Sequence, residues 1–304
     1  MAQVAAIDVG SNSVLLLLAE VAGQDIRVID ERCAITGLGK GLDRSDRLDP
    51  AATERTLAVL RDYGGLARDA GANIVAVGTE ALRRTRDQAA FVAHARAALG
   101  ADLEIITPQR EAALVMLAVD ASFPELPCPL VALDLGGGST EVIVGRNGTV
   151  EAVASMPLGS VRLHERHVAH DPPTSGEIAA IRAEVDEALA RCALAPPVGA
   201  AVVGVAATVT TLAAVAGSVT PYDGARVQGT WLSADEIGRQ IGRYARMSVA
   251  ERRTLPGLDP RRAEVILAGA LLLERLLGFL AAPGLRVSDR GVRWGLLYEI
   301  AGRQ

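Results

Sequence analysis

The chain has 304 residues, 50% hydrophobic and 22% charged, with a formal net charge of -5; this is apolar material for about two domains, and it excludes disorder and a fibrous chain. Its aromatics are three Phe, four Tyr and two Trp, too few for base-stacking platforms, and the acidic balance gives no global field for nucleic acid or anionic lipid. Cys33, Cys128 and Cys192 lie far apart, which indicates neither a disulfide framework nor a structural zinc site and fits a reducing cytoplasm.

The opening MAQVAAIDVGSNS has no charged n-region and reads as a strand rather than a signal peptide. Apolar runs at 4–9, 14–21 and 26–35, separated by Gly10-Ser11-Asn12-Ser13 and Ala22-Gly23-Gln24-Asp25, predict three antiparallel strands. Asp49-Pro50 opens a helix to about Ala70, followed by a strand at 74–77, a helix at 87–99, a strand at 103–106 and a helix from Gln109 to about Ser122. The Pro-rich segment 123–129 then interrupts all periodicity and sets the expected boundary: domain I over 1–124 and domain II over 125–304, leaving open whether the C-terminal helix packs back on domain I.

The second half repeats the first. A strand at 130–135, the loop Gly136-Gly137-Gly138-Ser139, a strand at 140–145, the hairpin signal Asn147-Gly148 and a strand at 150–155 come in the same order. A helix near 175–192, a strand at 200–205 and a helix at 208–216 follow; Ser248 with Glu251 forms a capping box, and Asp259-Pro260 opens a long apolar helix ending near Leu280. A short strand at 286–288 and a helix at 292–302 close the chain. The apolar stretches 198–222 and 265–285 do not read as membrane spans, because glycines and threonines divide the first and Glu274-Arg275 sit within the second.

Asp8-x-Gly10-x-x-Ser13 and Asp134-x-Gly136-x-x-Ser139 share one spacing, 126 residues apart, each at the end of its half's first strand. One such turn would be ordinary; two in equivalent places indicate a duplicated βββαβαβα unit. Glycines let consecutive N–H groups approach a phosphate and serine hydroxyls add donors, which points to Gly10, Ser11, Asn12 and Ser13 in one loop and Gly136, Gly137, Gly138 and Ser139 in the other. An aspartate in front of each loop would repel that anion unless a divalent cation sits between them. Asp8 and Asp134 are accordingly expected to hold a metal where the two halves meet across a cleft, Mg²⁺ with Mn²⁺ as the alternative.

The segments IDVGSNS, LDLGGGSTE, MPLGSVRL, LDPRRAEVILAGALLL and SDRGVRWGLLYE resemble the exopolyphosphatase and guanosine pentaphosphate phosphohydrolase (Ppx/GppA) phosphatase family in its short two-domain form. The resemblance implies duplicated actin-like, ribonuclease H-like α/β domains of the superfamily that also holds the sugar kinases. It further implies Mg²⁺-assisted attack of water on a terminal phosphate. Residue by residue, it places the general base at Glu111 in ITPQREAALVML, although that residue also reads as a favourable first-turn helix acid. It gives Glu141 a role in positioning metal or water, and through GTEALRR it places Thr79 and Arg83 near phosphate. Arg162 suits either phosphate or a structural acid. Arg84 and Arg86 read as surface charges, and His164, His167 and His170 as solvated helix residues rather than a metal site.

Several positions depart from the family pattern. Arg110 replaces the first acid of the Glu pair, Ala113 its following Arg, Leu15 the basic residue after SNS, and Ala206-Ala207 a Gly-rich turn, which leaves Thr208 in doubt as a ligand. The expected function is a cytoplasmic Mg²⁺-dependent exopolyphosphatase acting on inorganic polyphosphate. Guanosine pentaphosphate hydrolysis and a non-catalytic nucleotide or polyphosphate sensor are the alternatives, with a small-molecule kinase behind them. No nucleic acid or membrane partner is expected, and a homodimer is compatible with the sequence.

Overall fold

The structure is a computed structural model and describes residues 2–302. The chain divides into two compact units, Met1–Ala121 with Gly291–Gln304, and Ser122–Arg290.

The first unit begins with β1 (Ala2–Val9), β2 (Ser13–Ala22) and β3 (Asp25–Ile35). The short helix α1 (Leu42–Ser45), α2 (Pro50–Asp69), β4 (Asn73–Gly78), α3 (Glu80–Arg84), α4 (Gln88–Leu99), β5 (Leu103–Ile105) and α5 (Pro108–Ser122) follow. The five strands form one mixed sheet in the order β3-β2-β1-β4-β5, antiparallel through the first three and parallel at β4 and β5. Asp49 caps α2 as the sequence predicts, its Oδ1 accepting from the Ala52 N–H at 2.8 Å ahead of Pro50. Ala5, Ile7 and Val9 of β1 pack with Leu57, Leu60 and Tyr63 of α2 and with Phe91 and Leu99 of α4 in one core. The C-terminal helix, Val292–Gly302, lies against β1, β2 and β3.

The second unit builds the same sheet again. It holds β6 (Leu130–Leu135), β7 (Thr140–Arg146), β8 (Thr149–Met156), α6 (Ser160–His167), α7 (Ser175–Ala190), β9 (Ala201–Val205) and α8 (Ala206–Ala216). The remaining elements are α9 (Gly224–Val227), β10 (Trp231–Ser233), α10 (Ala234–Tyr244), α11 (Val249–Arg252), α12 (Ile266–Phe279) and β11 (Gly284–Val287). Read from β8, the order is β8-β7-β6-β9-β11-β10, which repeats the first unit's arrangement with one further antiparallel edge strand. This is a duplicated α/β arrangement, one sheet order built twice. All six residues of β6 are buried, as a central strand covered on both faces requires.

The long apolar helix expected from Asp259-Pro260 is broken in two. A 3-10 turn, Pro260–Arg262, capped by Asp259, precedes α12, because the Ala263 carbonyl accepts from the buried guanidinium of Arg252 (Nη1, 2.9 Å). The sequence also left α1, α3, α9, β10 and α10 unassigned, and of the three histidines read as helix residues α6 holds His164 and His167 but not His170. Among the described residues, no helix is long and apolar enough to cross a membrane.

Candidate functional site

In the first unit, the loop after β1 is closed by a hydrogen bond from the Gly10 N–H to the Ser13 carbonyl at 2.9 Å. The loop after β6 closes in the same way, from Gly136 N–H to Ser139 O at 3.0 Å. A Cβ on either glycine would crowd the same serine carbonyl, at 3.2 Å for Gly10 and 3.0 Å for Gly136. The repeat read from the sequence is therefore a repeat of backbone geometry.

Flanking segments occupy the carbonyls of both loops. Gly39 N–H donates to Ser11 O at 2.7 Å, and Thr36 and Gly37 N–H both donate to Asn12 O at 3.0 Å. In the second unit Ser160 N–H donates to Gly136 O (3.1 Å), while Val161 and Arg162 N–H share Gly137 O (3.0 and 3.2 Å). Gly159 approaches so closely that a Cβ there would lie 2.3 Å from the Gly137 carbonyl carbon. With carbonyls engaged on one side, what each loop can offer an anion is N–H groups and hydroxyls.

The first loop carries a restriction that the sequence did not show. Ser11 Oγ donates to Oε2 of Glu80 at 2.9 Å, and both residues are buried. Arg84, read from the sequence as a surface charge, holds the other oxygen of Glu80 at 3.1 Å and Asp43 at 2.7 Å through Nη1. Burial raises the Glu80 carboxyl above its ordinary range despite Ser11 and Arg84.

Asp8 sits near the end of β1, paired with Leu15 on β2 and Val77 on β4. The residue keeps part of its surface open, but its Oδ1 is shielded and has no hydrogen-bond partner. Burial, and then the charge of Glu111, push its carboxyl up to about 7, with Arg293 opposing. Glu111 lies in the first turn of α5, where its N–H donates to Thr107 O at 2.9 Å, and its side chain is buried. Arg83 Nη1 donates both to Glu111 Oε2 (2.8 Å) and to the Ile106 carbonyl (2.9 Å). Burial raises the Glu111 carboxyl, and Arg83 holds part of that rise back. Thr79, buried, donates its N–H to Val9 O at 3.2 Å, on the strand end that leads into the first loop. Asp8, the first loop, Thr79, Arg83 and Glu111 thus belong to neighbouring strand ends and helix starts of one unit.

In the second unit, Asp134 on β6 is the register partner of Glu141 on β7, and Glu141 is in turn the partner of Ser155 on β8. Carboxylate oxygens of Asp134 and Glu141 lie within 4.8 Å of one another, and Glu141 is only 1% exposed. Ser155 Oγ donates to Glu141 Oε1 at 2.7 Å. These are hard oxygen donors, the set that suits a small divalent cation. Arg162 is buried on α6 beside the second loop. His164, His167 and His170 each face a different carboxylate, Glu264 at 3.5 Å, Glu184, and Glu177 at 2.8 Å, and form no common cluster.

Two departures from the expected pattern acquire structural accounts. Ala206 takes a left-handed backbone (φ 66°) at the turn from β9 into α8, the conformation a glycine would adopt without strain. Arg110 forms a two-pronged ion pair with Glu299.

Residues 17–304 match the model of the Ppx/GppA phosphatase family. Exopolyphosphatase 2 of Mycobacterium tuberculosis is 35% identical over 318 aligned positions, covering 99% of each chain. The crystal structure of the Aquifex aeolicus Ppx/GppA family member superposes with a TM-score of 0.83 at 33% identity, covering 99% of this chain and 98% of that one. An exopolyphosphatase-like protein of known crystal structure reaches a TM-score of 0.93 at 30% identity, over 99% and 98% of the two chains.

Proposed function

Because the chain belongs to the Ppx/GppA phosphatase family, we propose that it is a Mg²⁺-dependent exopolyphosphatase that releases orthophosphate from the ends of inorganic polyphosphate. The observation that carries this reading is the repeated loop, closed by the same hydrogen bond in both units and preceded in each by an aspartate at a strand end. Two phosphate cradles suit a substrate that is itself a row of phosphates. The chain's few aromatic side chains offer little to stack a guanine, which favours the bare polymer over guanosine pentaphosphate.

The donor set fits a divalent cation: Asp134 and Glu141 offer clustered oxygens, and Asp8 has a shielded oxygen without a hydrogen bond. Asp8 in the first unit and Asp134 and Glu141 in the second are assigned as metal ligands. Bound there, Mg²⁺ would neutralise charge on the phosphoryl oxygens.

Glu111 accepts a proton from water as the water oxygen attacks the terminal phosphorus; the bridging P–O bond breaks, giving orthophosphate and a chain one unit shorter. Arg83 is suited to steady Glu111 and to meet phosphate oxygens with the rest of its guanidinium. Loop N–H groups, Ser13, Ser139 and Thr79 complete the phosphate contacts. Cys33, Cys128 and Cys192 stand outside any disulfide, which accords with a reducing, cytoplasmic setting.

The test is phosphate release from polyphosphates of graded length and from guanosine pentaphosphate, with and without chelator, beside Asp134→Ala and Glu111→Gln. Metal-dependent release from polyphosphate, lost in both variants, is expected. Release from the nucleotide alone would favour the pentaphosphate hydrolase, and ligand binding without turnover would favour a sensor.

A further inference from the structure

Arg110 occupies the place where the family pattern has an acid, one residue before Glu111, and the structure supplies a partner for it far along the chain. Its Nη1 and Nη2 donate to Oε1 and Oε2 of Glu299 on the C-terminal helix, each at 2.6 Å. Both side chains are partly shielded, and the fork-to-fork geometry fixes direction as well as distance.

A second contact joins the same two helices. A Cβ built on Gly295 would lie 2.1 Å from the carbonyl oxygen of Leu114 and 2.6 Å from its carbonyl carbon. Leu114 stands three residues after Glu111, on the adjoining turn of α5. The obstruction is backbone, so no rotamer change can relieve it, and only glycine allows this approach.

The other end of the C-terminal helix is anchored to the sheet. Buried Arg293 donates from Nη1 to the Leu16 carbonyl of β2 at 3.2 Å and from Nη2 to Glu31 of β3 at 3.1 Å. Leu16 adjoins Leu15, the register partner of Asp8. One helix is thus tied to the sheet that carries Asp8 through Arg293, and to the helix that carries Glu111 through Gly295 and Glu299.

We infer that the C-terminal helix is a positioning element for Glu111, with Glu299 and Gly295 as the positioning residues, acting through Arg110 and the Leu114 backbone. The inference rests on the assignment of Glu111 as the base. It also gives Arg110, which departs from the pattern the resemblance implies, a part in the fold: its guanidinium ties the helix of Glu111 to Glu299.

The experiment is a charge exchange read in two ways. Arg110→Glu and Glu299→Arg, each alone, place like charges together and should lower kcat for polyphosphate roughly 10- to 100-fold, the scale of a small misplacement of a reacting group. KM should stay within about twofold, since no phosphate contact is altered. The double variant should recover most of kcat. Independently of turnover, backbone amides of residues 107–114 should exchange with deuterium faster in Glu299→Gln and Gly295→Ala than in the parent chain, at temperatures where both remain folded.

Failure of the double variant to recover kcat, or unchanged exchange at 107–114 in both variants, overturns the inference. If the parent chain releases no phosphate, or Glu111→Gln leaves release intact, the functional reading falls instead. The exchange measurement then still decides whether the helix holds that turn.

Discussion

Leu15 is the cross-strand partner of Asp8, in the register that on the other sheet makes Glu141 the partner of Asp134. The duplication has therefore kept the aspartate in both units and a neighbouring acid in only one. Asp8 is left beside an apolar side chain with a shielded, unbonded oxygen, and burial is the main reason its carboxyl is pushed up to about 7.

The sign of the consequence follows from which state holds the proton. Unfolded, Asp8 ionises near 3.8, whereas folded it does so near 7. The folded state is therefore favoured by this group below about 3.8, and that contribution is lost as pH rises through 7. Asp8→Asn removes the charge at similar volume. In chelator at pH 8 the variant should be the more stable by roughly 1–3 kcal/mol, with the difference shrinking toward pH 4. Added Mg²⁺ should stabilise the parent chain and not the variant. Thermal melts across pH with and without Mg²⁺ measure this, and a variant less stable than its parent at pH 8 would contradict it.

Ala206 holds φ at 66° where β9 turns into α8, a conformation that costs an L-residue about 1–2 kcal/mol. Glycine removes that strain and adds some unfolded-state entropy, about 0.4–1 kcal/mol in the opposite sense. Ala206→Gly should therefore raise the Tm of the second unit by roughly 1–4 °C. Calorimetry is the direct check. A lower Tm would mean that the alanine methyl gains more by packing than the backbone loses by strain.

The parts of this architecture that the sequence made legible are those written in local chemistry. Asp49-Pro50, Asn147-Gly148, Ser248 with Glu251, and the twice-repeated Asp-x-Gly-x-x-Ser spacing all formed as their chemistry requires. What stayed hidden depends on register or on contacts remote in sequence. Counting back from the hairpin turn pairs Glu141 with Ala154. A bulge between Val144 and Gly145 shifts the ladder by one residue and brings Ser155 opposite instead, which turns a serine onto the carboxylate. Nothing local in the sequence marks Glu80 until the fold places Ser11 against it across 69 positions. Arg110 looks like a lost acid until Glu299, 189 positions away, is seen.

Arg83 and Glu111 make the last prediction, because their ion pair ties the protonation of the proposed base to one guanidinium. Burial raises the Glu111 carboxyl and Arg83 opposes it by charge and by hydrogen bond. A base must be ionised to accept a proton, so kcat/KM should climb with pH through the Glu111 ionisation. Removing the cation leaves the burial effect unopposed. In Arg83→Gln the acidic limb should move to higher pH, while Glu111→Gln should lose the limb together with roughly 10²–10⁴ of the rate. Arg83→Lys keeps a charge without the fork that also holds the Ile106 carbonyl, so its limb should fall between those of the parent and Arg83→Gln. The pH dependence of kcat/KM for polyphosphate in the three variants measures this. A limb in Arg83→Gln that stays in place or moves to lower pH would show that Arg83 does not set the ionisation of Glu111.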